Sequence, residues 1–205
     1  MGHVTTARYI AFEGSEGCGK STHATRLAAS IDAVLTRETG GTPIGERLRS
    51  ILHDVEVDDL DERAETLIVA ADRAQHLAQV VRPALEAGRH VVSDRSVYSS
   101  LAYQGAGRQL GMDEVLRVNS WAVGSTIPDL VFLLAVPAEE MEIRLRKRDL
   151  DRFEQEGADF HHRVAEAFTT LAERDPDRWV VIDGLLPKDE VQALVRSTVA
   201  ERLGL

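Results

Sequence analysis

The sequence predicts an α/β protein in which helices cover both faces of a five-stranded parallel sheet. Three observations support this prediction. Five short apolar segments alternate with helical patterns, which is the element order of a doubly wound sheet. The segment 130–136 is apolar without alternation, as expected for a strand that is covered on both faces. The first apolar segment runs directly into a glycine-rich loop that a helical pattern follows, and such loops typically bind phosphate.

The strands are expected at 8–13, 33–37, 90–94, 130–136 and 179–183. Apolar residues repeat every three or four positions over about 61–87, which predicts a long helix between the second and third strands. Pro83 should kink this helix, and Gly88 should end it. Two more helices are expected over about 112–123 and 188–202.

The composition bears on size, partners and compartment. A chain of 205 residues, 43% of them hydrophobic, suits one substantial core, so residues 1–205 are interpreted as a single domain. The net charge of −10 argues against nucleic acid or an anionic membrane as a partner. The single cysteine fits a reducing compartment. Because no apolar run has the length of a membrane span and the N-terminus lacks a signal-peptide core, we expect a cytoplasmic protein.

The glycine-rich loop follows the pattern Gly, four residues, Gly-Lys-Ser of a P-loop. Its glycines let several backbone N–H groups point at one anion, and the helix that it opens adds partial positive charge. Lys20 would reach the outer phosphates of a nucleoside triphosphate, and the Ser21 hydroxyl would ligate Mg²⁺. Cys18 is interpreted as a small residue that the loop tolerates. The nucleotide-binding residues are predicted to be Gly14, Ser15, Glu16, Gly17, Cys18, Gly19, Lys20, Ser21 and Thr22.

Polar residues at the ends of two further strands should face the same crevice, because ligands bind at the carboxyl ends of parallel strands. Arg37 and Glu38 end the second strand. Asp94 ends the third and stands in the place of the carboxylate that holds Mg²⁺ or its water shell in P-loop proteins. The alternative for Asp94 is a helix N-cap for a segment that starts near Ser96. Arg95 is a candidate for binding a second phosphate group.

Three features have alternative explanations at this stage. The glycine-rich loop 36–45 either turns a corner or lets a ligand approach the backbone closely. Arg49 follows it in a short amphipathic helix, where an isolated arginine is usually a solvated surface residue. Arg73 and His76 lie beside other polar residues in the long helix, and a solvent-exposed face is the ordinary explanation for both.

A strongly basic cluster contains five basic residues between positions 144 and 152. Arg144, Arg148 and Arg152 are spaced four apart and would share one helical face. Cations near a helix C-terminus complement the helix dipole, which accounts for one or two of them. The whole cluster indicates an anion. We predict a lid over about 144–159, whose arginines neutralise charge while a phosphoryl group is transferred.

Several blocks together resemble the thymidylate kinase family, over about residues 9–179. They are Phe12-Glu13-Gly14 through Ser21-Thr22, Thr36-Arg37-Glu38 with Gly40-Gly41-Thr42, Ala70 through His76, Asp94-Arg95, Ser99 through Gly105, Pro128-Asp129-Leu130 and Asp151 through Glu154. The resemblance implies a P-loop kinase fold with a short arginine-bearing lid and a homodimer packed through helices. It implies transfer of the γ-phosphoryl group of ATP to dTMP, with Mg²⁺, to give dTDP and ADP.

The resemblance also implies roles for individual residues. Arg73 would hydrogen-bond the thymine ring, and Ser100 and Gln104 would read its edge. Arg49 and Arg95 would hold the monophosphate, and Glu16 would contact the sugar 3′-hydroxyl. The implied acceptor set is Glu38, Arg49, Val69, Arg73, Arg95, Ser100, Tyr103 and Gln104, and the implied catalytic set is Glu16, Lys20, Asp94, Arg95, Arg148 and Arg152.

The chain departs from the family pattern at several positions. Gly17 stands where some members carry an arginine, and members without it supply arginines from the lid, as Arg148 and Arg152 would here. Val69 replaces a phenylalanine that usually stacks on thymine, a loss of about 0.5–1.5 kcal/mol beyond burial. Other departures are Thr39 for proline, Ser96 for tyrosine and Ala135 for aspartate. These departures leave two alternatives: a kinase for a different nucleotide or small acceptor, and a catalytically silent nucleotide-binding module.

Overall fold

The structure is a computed structural model that describes residues 7–137, 140 and 150–205. Its strands are β1 (Tyr9–Glu13), β2 (Val34–Arg37), β3 (Val91–Asp94), β4 (Leu130–Ala135) and β5 (Trp179–Asp183). They form one parallel sheet in the order β2-β3-β1-β4-β5. All five predicted strands are confirmed, with no end displaced by more than one residue.

The helices of the described residues are α1 (Lys20–Ser30), α2 (Pro43–His53), α3 (Glu62–His76), α4 (Arg82–Glu86), α5 (Val97–Ser100), α6 (Met112–Val123), α7 (Ala158–Arg174) and α8 (Lys188–Leu203). Two π-helical segments, Leu77–Val81 and Leu101–Gly107, extend α3 and α5. Helices α6 and α8 lie where they were predicted. Residues 144–149 of the predicted lid lie outside the described residues, and its last two residues already belong to α7, which was not predicted.

The long helix predicted over 61–87 consists of consecutive pieces. α3 passes into the π-helical segment Leu77–Val81, and α4 follows with Pro83 in its first turn. A proline in a first turn removes no intrahelical hydrogen bond, so the helical path continues past it. Gly88 ends the stretch as predicted, with a φ of 75° that favours glycine.

Apolar clusters fill the space on both faces of the sheet. On one face, Ile10 and Phe12 of β1 pack with Leu27 of α1 and Val195 of α8. On the other, Val131 of β4 packs with apolar residues of α3, α6 and α7. All five side chains are fully buried, and each contributes roughly 1.5–3 kcal/mol to stability. Because both faces are covered, the uninterrupted apolar run of β4 is required.

Helix α3 reverses the usual distribution of apolar and polar side chains. The positions whose repeat predicted the helix include Leu67, Ala71 and Ala78, and all three are exposed. The buried face instead carries charged residues, among them Arg73 and His76. The predicted solvent-exposed face for Arg73 and His76 is therefore wrong. The period of the pattern identifies a helix, but which face is buried depends on what packs against it.

The parallel arrangement brings the ends of β1, β2 and β3 to the same edge of the sheet. The glycine-rich loop follows β1, Glu38 follows β2, and Asp94 ends β3. These are the positions where ligands bind in open α/β sheets. None of the helices in the described part of the chain combines the length and apolar character that a membrane span needs.

Candidate active site

A cleft of about 740 Å³ opens at this edge of the sheet. Predicted site residues that line it are Glu16, Gly17, Gly19, Lys20, Ser21, Thr22, Glu38, Arg49, Val69, Arg73, Asp94, Arg95, Ser100, Tyr103 and Gln104. One continuous cleft thus brings the glycine-rich loop together with arginines from α2, α3 and the end of β3. The predicted nucleotide and acceptor sets are neighbours in space.

The glycine-rich loop takes a shape that glycine permits. Gly14 has a φ of 135°, and a Cβ there would lie 2.8 Å from the carbonyl oxygen of Leu134. Gly19 has a φ of 99° and begins α1 without a side-chain cap, which leaves the first N–H groups of α1 available to an anion. The Lys20 ammonium lies in the loop and donates to the carbonyl oxygens of Gly14 and Ser15 at 3.1 and 2.7 Å. Cys18 is buried in the loop, in line with a packing role.

Asp94 is linked to the loop through Ser21. The Ser21 hydroxyl donates to the Asp94 carboxylate at 2.5 Å, which joins the first turn of α1 to the end of β3. The N-cap alternative for Asp94 is wrong, because Ser96 caps α5 with its own hydroxyl. Two hard oxygen donors therefore lie side by side at the mouth of the loop, a donor chemistry that suits Mg²⁺.

Arg95 is held in a fixed orientation at the centre of the cleft. Its guanidinium donates to the carbonyl oxygen of Gly14 and to Ser99 Oγ, both at 3.1 Å, and to the Tyr103 hydroxyl at 3.0 Å. It also forms an ion pair with Glu16. Burial alone would lower the pKa of Arg95. The charge of Glu16 outweighs this effect and holds the pKa of Arg95 well above its ordinary value. A permanently charged guanidinium whose orientation is fixed can pair with a phosphate group in the cleft.

Glu13 supports this arrangement from below and was not among the predicted site residues. Its buried carboxylate accepts from the backbone N–H of Ser96 at 2.8 Å and from the Ser96 and Ser99 hydroxyls, both at 2.6 Å. Burial raises the pKa of Glu13, while the charge of Arg95 opposes this shift. Glu13 thus fixes the start of α5, and through Ser99 it supports Arg95. Glu13 belongs to a block that carries the family resemblance, but a glutamate at a strand end does not by itself indicate such a role.

Arg73 lies at the far end of the cleft in a buried ion pair. Its Nε donates to Glu38 at 2.8 Å, and His76 Nδ1 lies 2.8 Å from the other carboxylate oxygen of Glu38. Arg73 is 1% exposed and His76 is 0% exposed, so their charges and polar atoms must be paired. Burial alone would raise the pKa of Glu38, but Arg73 and His76 hold it below its ordinary value.

The remaining bonds of Arg73 connect it to both ends of α5 and to α6. Nη1 donates to Ser100 Oγ at 2.9 Å and to the side-chain oxygen of Asn119, and Nη2 donates to the carbonyl oxygen of Ser96 at 3.1 Å. Four of the five N–H groups of the guanidinium are therefore used within the described part of the chain. One Nη2 hydrogen is left on a residue that lines the cleft.

The loop after β2 turns a corner against α3. A Cβ at Gly41 would lie 2.5 Å from the carbonyl oxygen of Arg37, and one at Gly45 would lie 2.3 Å from Asp72 Oδ1. These close contacts within the protein indicate that Gly41 and Gly45 are needed for the loop to turn its corner, and not for a ligand to approach the backbone. The peptide bond between Glu38 and Thr39 is cis.

Arg49 is directed to the cleft by this loop. Its Nη1 donates to the carbonyl oxygen of Thr39 and to Thr39 Oγ1, both at 3.3 Å, and the residue is half-buried. The solvated-surface explanation for Arg49 is therefore wrong. Burial lowers the pKa of Arg49, and the charge of Arg37 adds to the effect. An anion beside Arg49 would relieve the repulsion between these arginines.

The segment that leads into α7 contributes a side chain to the wall of the cleft. The side chain of Phe153 lines the cleft together with His53 and Val69, although it was not among the predicted site residues. His53 Nδ1 lies 2.7 Å from the Asp151 carboxylate. Burial would raise the pKa of Asp151, but its hydrogen bonds to His53 and to the backbone lower it. The block Asp151–Glu154 was part of the family resemblance, and this resemblance was the sequence signal that could have identified Phe153 as a site residue.

Arg152 does not line the cleft in this structure. Its Nη2 lies 2.6 Å from the buried Glu65 carboxylate, and its Nε donates to the carbonyl oxygen of Leu52 at 2.9 Å. The guanidinium also stacks over the ring of Phe153. Arg148 and Arg144 lie outside the described residues. The charge-neutralising role predicted for Arg148 and Arg152 therefore stays a prediction.

The ion pair between Glu16 and Arg95 predicts how stability depends on pH. Burial would raise the pKa of Glu16, but the charge of Arg95 outweighs it and lowers the pKa from 4.5 to about 2. A lowered folded-state pKa stabilises the fold above the unfolded value, and this contribution is lost as the pH falls towards 2. Glu16→Gln should therefore reduce the free energy of unfolding by roughly 1–3 kcal/mol at pH 7 and by less than half of that at pH 3.

Urea unfolding of the wild type and of Glu16→Gln at pH 7 and pH 3 checks this expectation. Glu190→Gln, on an exposed residue in the first turn of α8, is the control and should show no such change. If the free energy of unfolding of Glu16→Gln differs from that of the wild type by the same amount at both pH values, the assigned ion pair is contradicted.

The chain matches known proteins over nearly its whole length. A family model described as thymidylate kinase matches residues 12–195. A thymidylate kinase of Geobacillus sp. is 39% identical over 204 residues, which cover 96% of this chain and 97% of that protein. One of Lactobacillus helveticus is 42% identical over 205 residues, 95% of this chain and 96% of that protein.

A solved structure agrees with these sequence matches. The crystal structure of thymidylate kinase from Ehrlichia chaffeensis superposes with a TM-score of 0.77 at 28% identity, covering 94% of this chain and 98% of that chain. Its fold is therefore shared across the described sheet and helices. Together with the cleft that joins a P-loop to a second arginine-lined site, these matches place the chain in the thymidylate kinase family.

Proposed function

We propose that this chain transfers the γ-phosphoryl group of ATP to dTMP, giving dTDP and ADP. The observation that carries the proposal is the single cleft in which Lys20 of the P-loop and the guanidinium of Arg95 both lie. An oxygen of the acceptor phosphate forms a bond to the γ-phosphorus while the bond to the β,γ-bridging oxygen breaks. Since the acceptor phosphate is already anionic at neutral pH, no general base is needed. Positioning and charge neutralisation supply the catalysis.

The donor site is built by the P-loop. Its backbone N–H groups and the N-terminus of α1 would hold the phosphates of ATP, and the Lys20 ammonium would exchange its contacts with loop carbonyl oxygens for β- and γ-phosphate oxygens. Thr22, in the first turn of α1, also lines this part of the cleft. The charge that develops between donor and acceptor would thus form beside a fixed cation.

Ser21 and Asp94 would hold Mg²⁺. Their oxygens lie 2.5 Å apart at the mouth of the loop, and hard oxygen donors fit this ion. The described residues contain no group of three or more His, Cys, Asp or Glu side chains that could hold a metal ion. A Mg²⁺ ion held by Ser21 and Asp94 would supply positive charge that neutralises the phosphate oxygens of ATP. The hydrogen bond between Ser21 and Asp94 keeps both side chains in place for this role.

Arg95 and Arg49 would bind the acceptor phosphate from two sides. Both guanidinium groups line the cleft, one from the end of β3 and the other from α2. Glu16 holds Arg95 in place by its ion pair, and the family resemblance implies that it also contacts the sugar 3′-hydroxyl. Glu38 carries out a similar positioning task for Arg73 at the base end of the cleft.

The base end of the cleft has a donor and acceptor pattern that suits thymine. The unused Nη2 hydrogen of Arg73 can donate to a ring carbonyl oxygen. Ser100 accepts from Arg73, so its own hydroxyl hydrogen is available to donate. A base with a carbonyl oxygen at position 4 can accept the hydrogen bond that Arg73 donates. Cytosine carries an amino group at this position, so two hydrogen-bond donors would face each other. This pattern supports dTMP over dCMP as the acceptor, although position 69 carries a valine and not an aromatic residue.

A panel of acceptors tests the proposal. ADP formation is measured in a coupled assay with ATP and each of dTMP, dUMP, dCMP, AMP and thymidine, and dTDP is identified chromatographically. We expect the highest kcat/KM with dTMP and no turnover of thymidine, which lacks the phosphate that Arg95 would bind. A higher kcat/KM with another acceptor would indicate an altered pocket around Val69. The absence of transfer to every monophosphate would indicate a silent binding module.

A homodimer is part of the proposal. Helices α3 and α6 pack side by side, and both present apolar side chains to solvent in the single chain. Trp121 is 92% exposed, and Val118 precedes it by one turn of α6 on the same face. Leu67 is exposed on α3. A second copy that covers this face would bury the apolar repeat of α3, which otherwise has no reason to be apolar.

Trp121→Lys should therefore convert the dimer to a monomer of 22.6 kDa. A lysine ammonium in the centre of an apolar interface is costly to desolvate, so it opposes association. Sedimentation velocity measures the change, and Leu194→Lys, at an exposed apolar position of α8, is the control that should keep the dimer mass. A wild type that sediments as a monomer, or a Trp121→Lys variant that stays dimeric, would contradict the proposed interface.

A cytoplasmic location completes the proposal. The single cysteine, Cys18, suits a reducing compartment, and it is buried within the loop that would hold ATP.

A further inference from the structure

A buried carboxylate lies directly behind the base end of the cleft. Glu65, on the inner face of α3, is fully buried, and it does not line the cleft. Its Oε1 accepts a hydrogen bond from Gln104 Nε2 at 2.8 Å. Gln104 itself lines the cleft and is 3% exposed. The only hydrogen bond of the Gln104 side chain to a described residue is therefore the one that its NH₂ group donates to Glu65.

Two arginines keep the Glu65 carboxylate in place. Arg152 Nη2 lies 2.6 Å from Oε2, and Arg108 approaches both oxygens, with Nε 3.3 Å from Oε1 and Nη2 3.1 Å from Oε2. Arg108 is in turn paired with Glu156. A buried carboxylate with two guanidinium partners is charge-compensated, and it acts only as a hydrogen-bond acceptor.

The orientation of the Gln104 amide follows from this chemistry. An amide presents an NH₂ donor at one end and a carbonyl acceptor at the other. Because an ionised carboxylate can only accept, the end of Gln104 that faces Glu65 must be the NH₂ group. The carbonyl oxygen, Oε1, has no partner among the described residues and is left for a ligand in the cleft.

We infer that Glu65 is a positioning residue that fixes the Gln104 amide so that its carbonyl oxygen, and not its NH₂ group, meets the acceptor base. This inference rests on the proposed function and on the base-reading role that the family resemblance implies for Gln104. A carbonyl oxygen accepts from the ring N–H of thymine or uracil and repels the ring-nitrogen lone pair of cytosine. Glu65 thus contributes to base selectivity without touching the substrate.

Glu65→Gln tests this inference with almost no change in shape. The guanidinium groups of Arg108 and Arg152 can only donate, so the single carbonyl oxygen of the substituted side chain should turn to them. The NH₂ group of that side chain then faces Gln104, whose amide turns over and presents donors to the cleft. We expect the preference for dTMP over dCMP, measured as the ratio of kcat/KM values, to fall about tenfold, with the KM for ATP unchanged.

A double-mutant cycle separates positioning from a merely structural role. In a Gln104→Ala background, Glu65→Gln should change the dTMP:dCMP preference by less than about twofold, because the amide that it reorients is gone. Glu156→Gln removes the other carboxylate partner of Arg108 and should leave the preference unchanged. The melting temperature of each variant shows whether it is folded.

The outcomes are distinguishable. An unchanged preference in folded Glu65→Gln, or the same fold-change with and without Gln104, would overturn the inference. If Glu65→Gln does not fold, Glu65→Asp replaces it, since aspartate keeps the charge for the arginines but withdraws the carboxylate from Gln104. A reduced dTMP:dCMP preference is again expected for this variant. An unchanged preference would overturn the inference. A wild type that does not phosphorylate dTMP would overturn the proposed function itself.

Discussion

Lys20→Ala should lower kcat for phosphoryl transfer to dTMP by about 10³, with the fold intact. The Lys20 ammonium is 6% exposed inside the P-loop and lies at the start of α1, where the phosphates would bind. Its charge is fixed in place before the reaction and is worth most when charge develops on the transferring group. Removal of this cation should therefore affect the rate of transfer more than the binding of dTMP.

The decrease in kcat is measured from ADP formation at saturating ATP and dTMP, in a coupled assay or in samples quenched at fixed times. Lys188→Ala is the matched control, because Lys188 is an exposed lysine at the start of α8 and the cleft does not include it. Its kcat should stay within about twofold of the wild type, which is the scatter expected for a surface substitution. A Lys20→Ala variant with more than about a tenth of the wild-type kcat would contradict the donor-site assignment.

Arg95→Ala should lower kcat/KM for dTMP by about 10²–10³ while ATP binding is retained. The Arg95 guanidinium is held in place by Gly14, Ser99, Tyr103 and Glu16. Its loss leaves the acceptor phosphate without this fixed positive charge. The donor site keeps Lys20 and the loop, so the affinity for ATP should change by less than about threefold.

Steady-state kinetics with dTMP varied, together with calorimetric titration of ATP, separate the two effects. Arg95→Lys keeps a charge but loses the planar fork, so it should recover only part of the activity. Arg174→Ala, at the exposed end of α7, is the control and should behave as the wild type. Full activity of Arg95→Ala, or a parallel loss of ATP binding, would refute the acceptor role.

The parts of the site that could be predicted from sequence are those that local chemistry determines. The P-loop pattern places Lys20 and Ser21 next to each other in the chain, and the apolar run of β1 places the loop at a sheet edge. Asp94 and Arg95 follow from the same edge rule applied to β3. The apolar segments located β1, β3 and β4 because strands buried on both faces leave a clear pattern.

The parts that could not be predicted depend on partners far along the chain. Arg73 is buried because Glu38, 35 positions away, neutralises it, and no local pattern reports that pairing. His76 is buried against the same carboxylate. The apolar repeat of α3 predicted the helix correctly but not its orientation, since its polar face meets the cleft. Helix α7 is different, because Phe160, Val164, Phe168 and Leu171 repeat at helical spacing and could have been recognised.

The central claim is that one cleft holds a nucleoside triphosphate and a nucleoside monophosphate at the same time, with their phosphates between Lys20 and Arg95. Isothermal titration with a molecule that joins adenosine and thymidine through five phosphates tests this claim most directly. We predict one molecule bound per chain, at least about a hundredfold more tightly than ATP or dTMP alone, since both sites are occupied for one association step. An affinity no greater than that of ATP, or binding that saturating dTMP does not weaken, would contradict it.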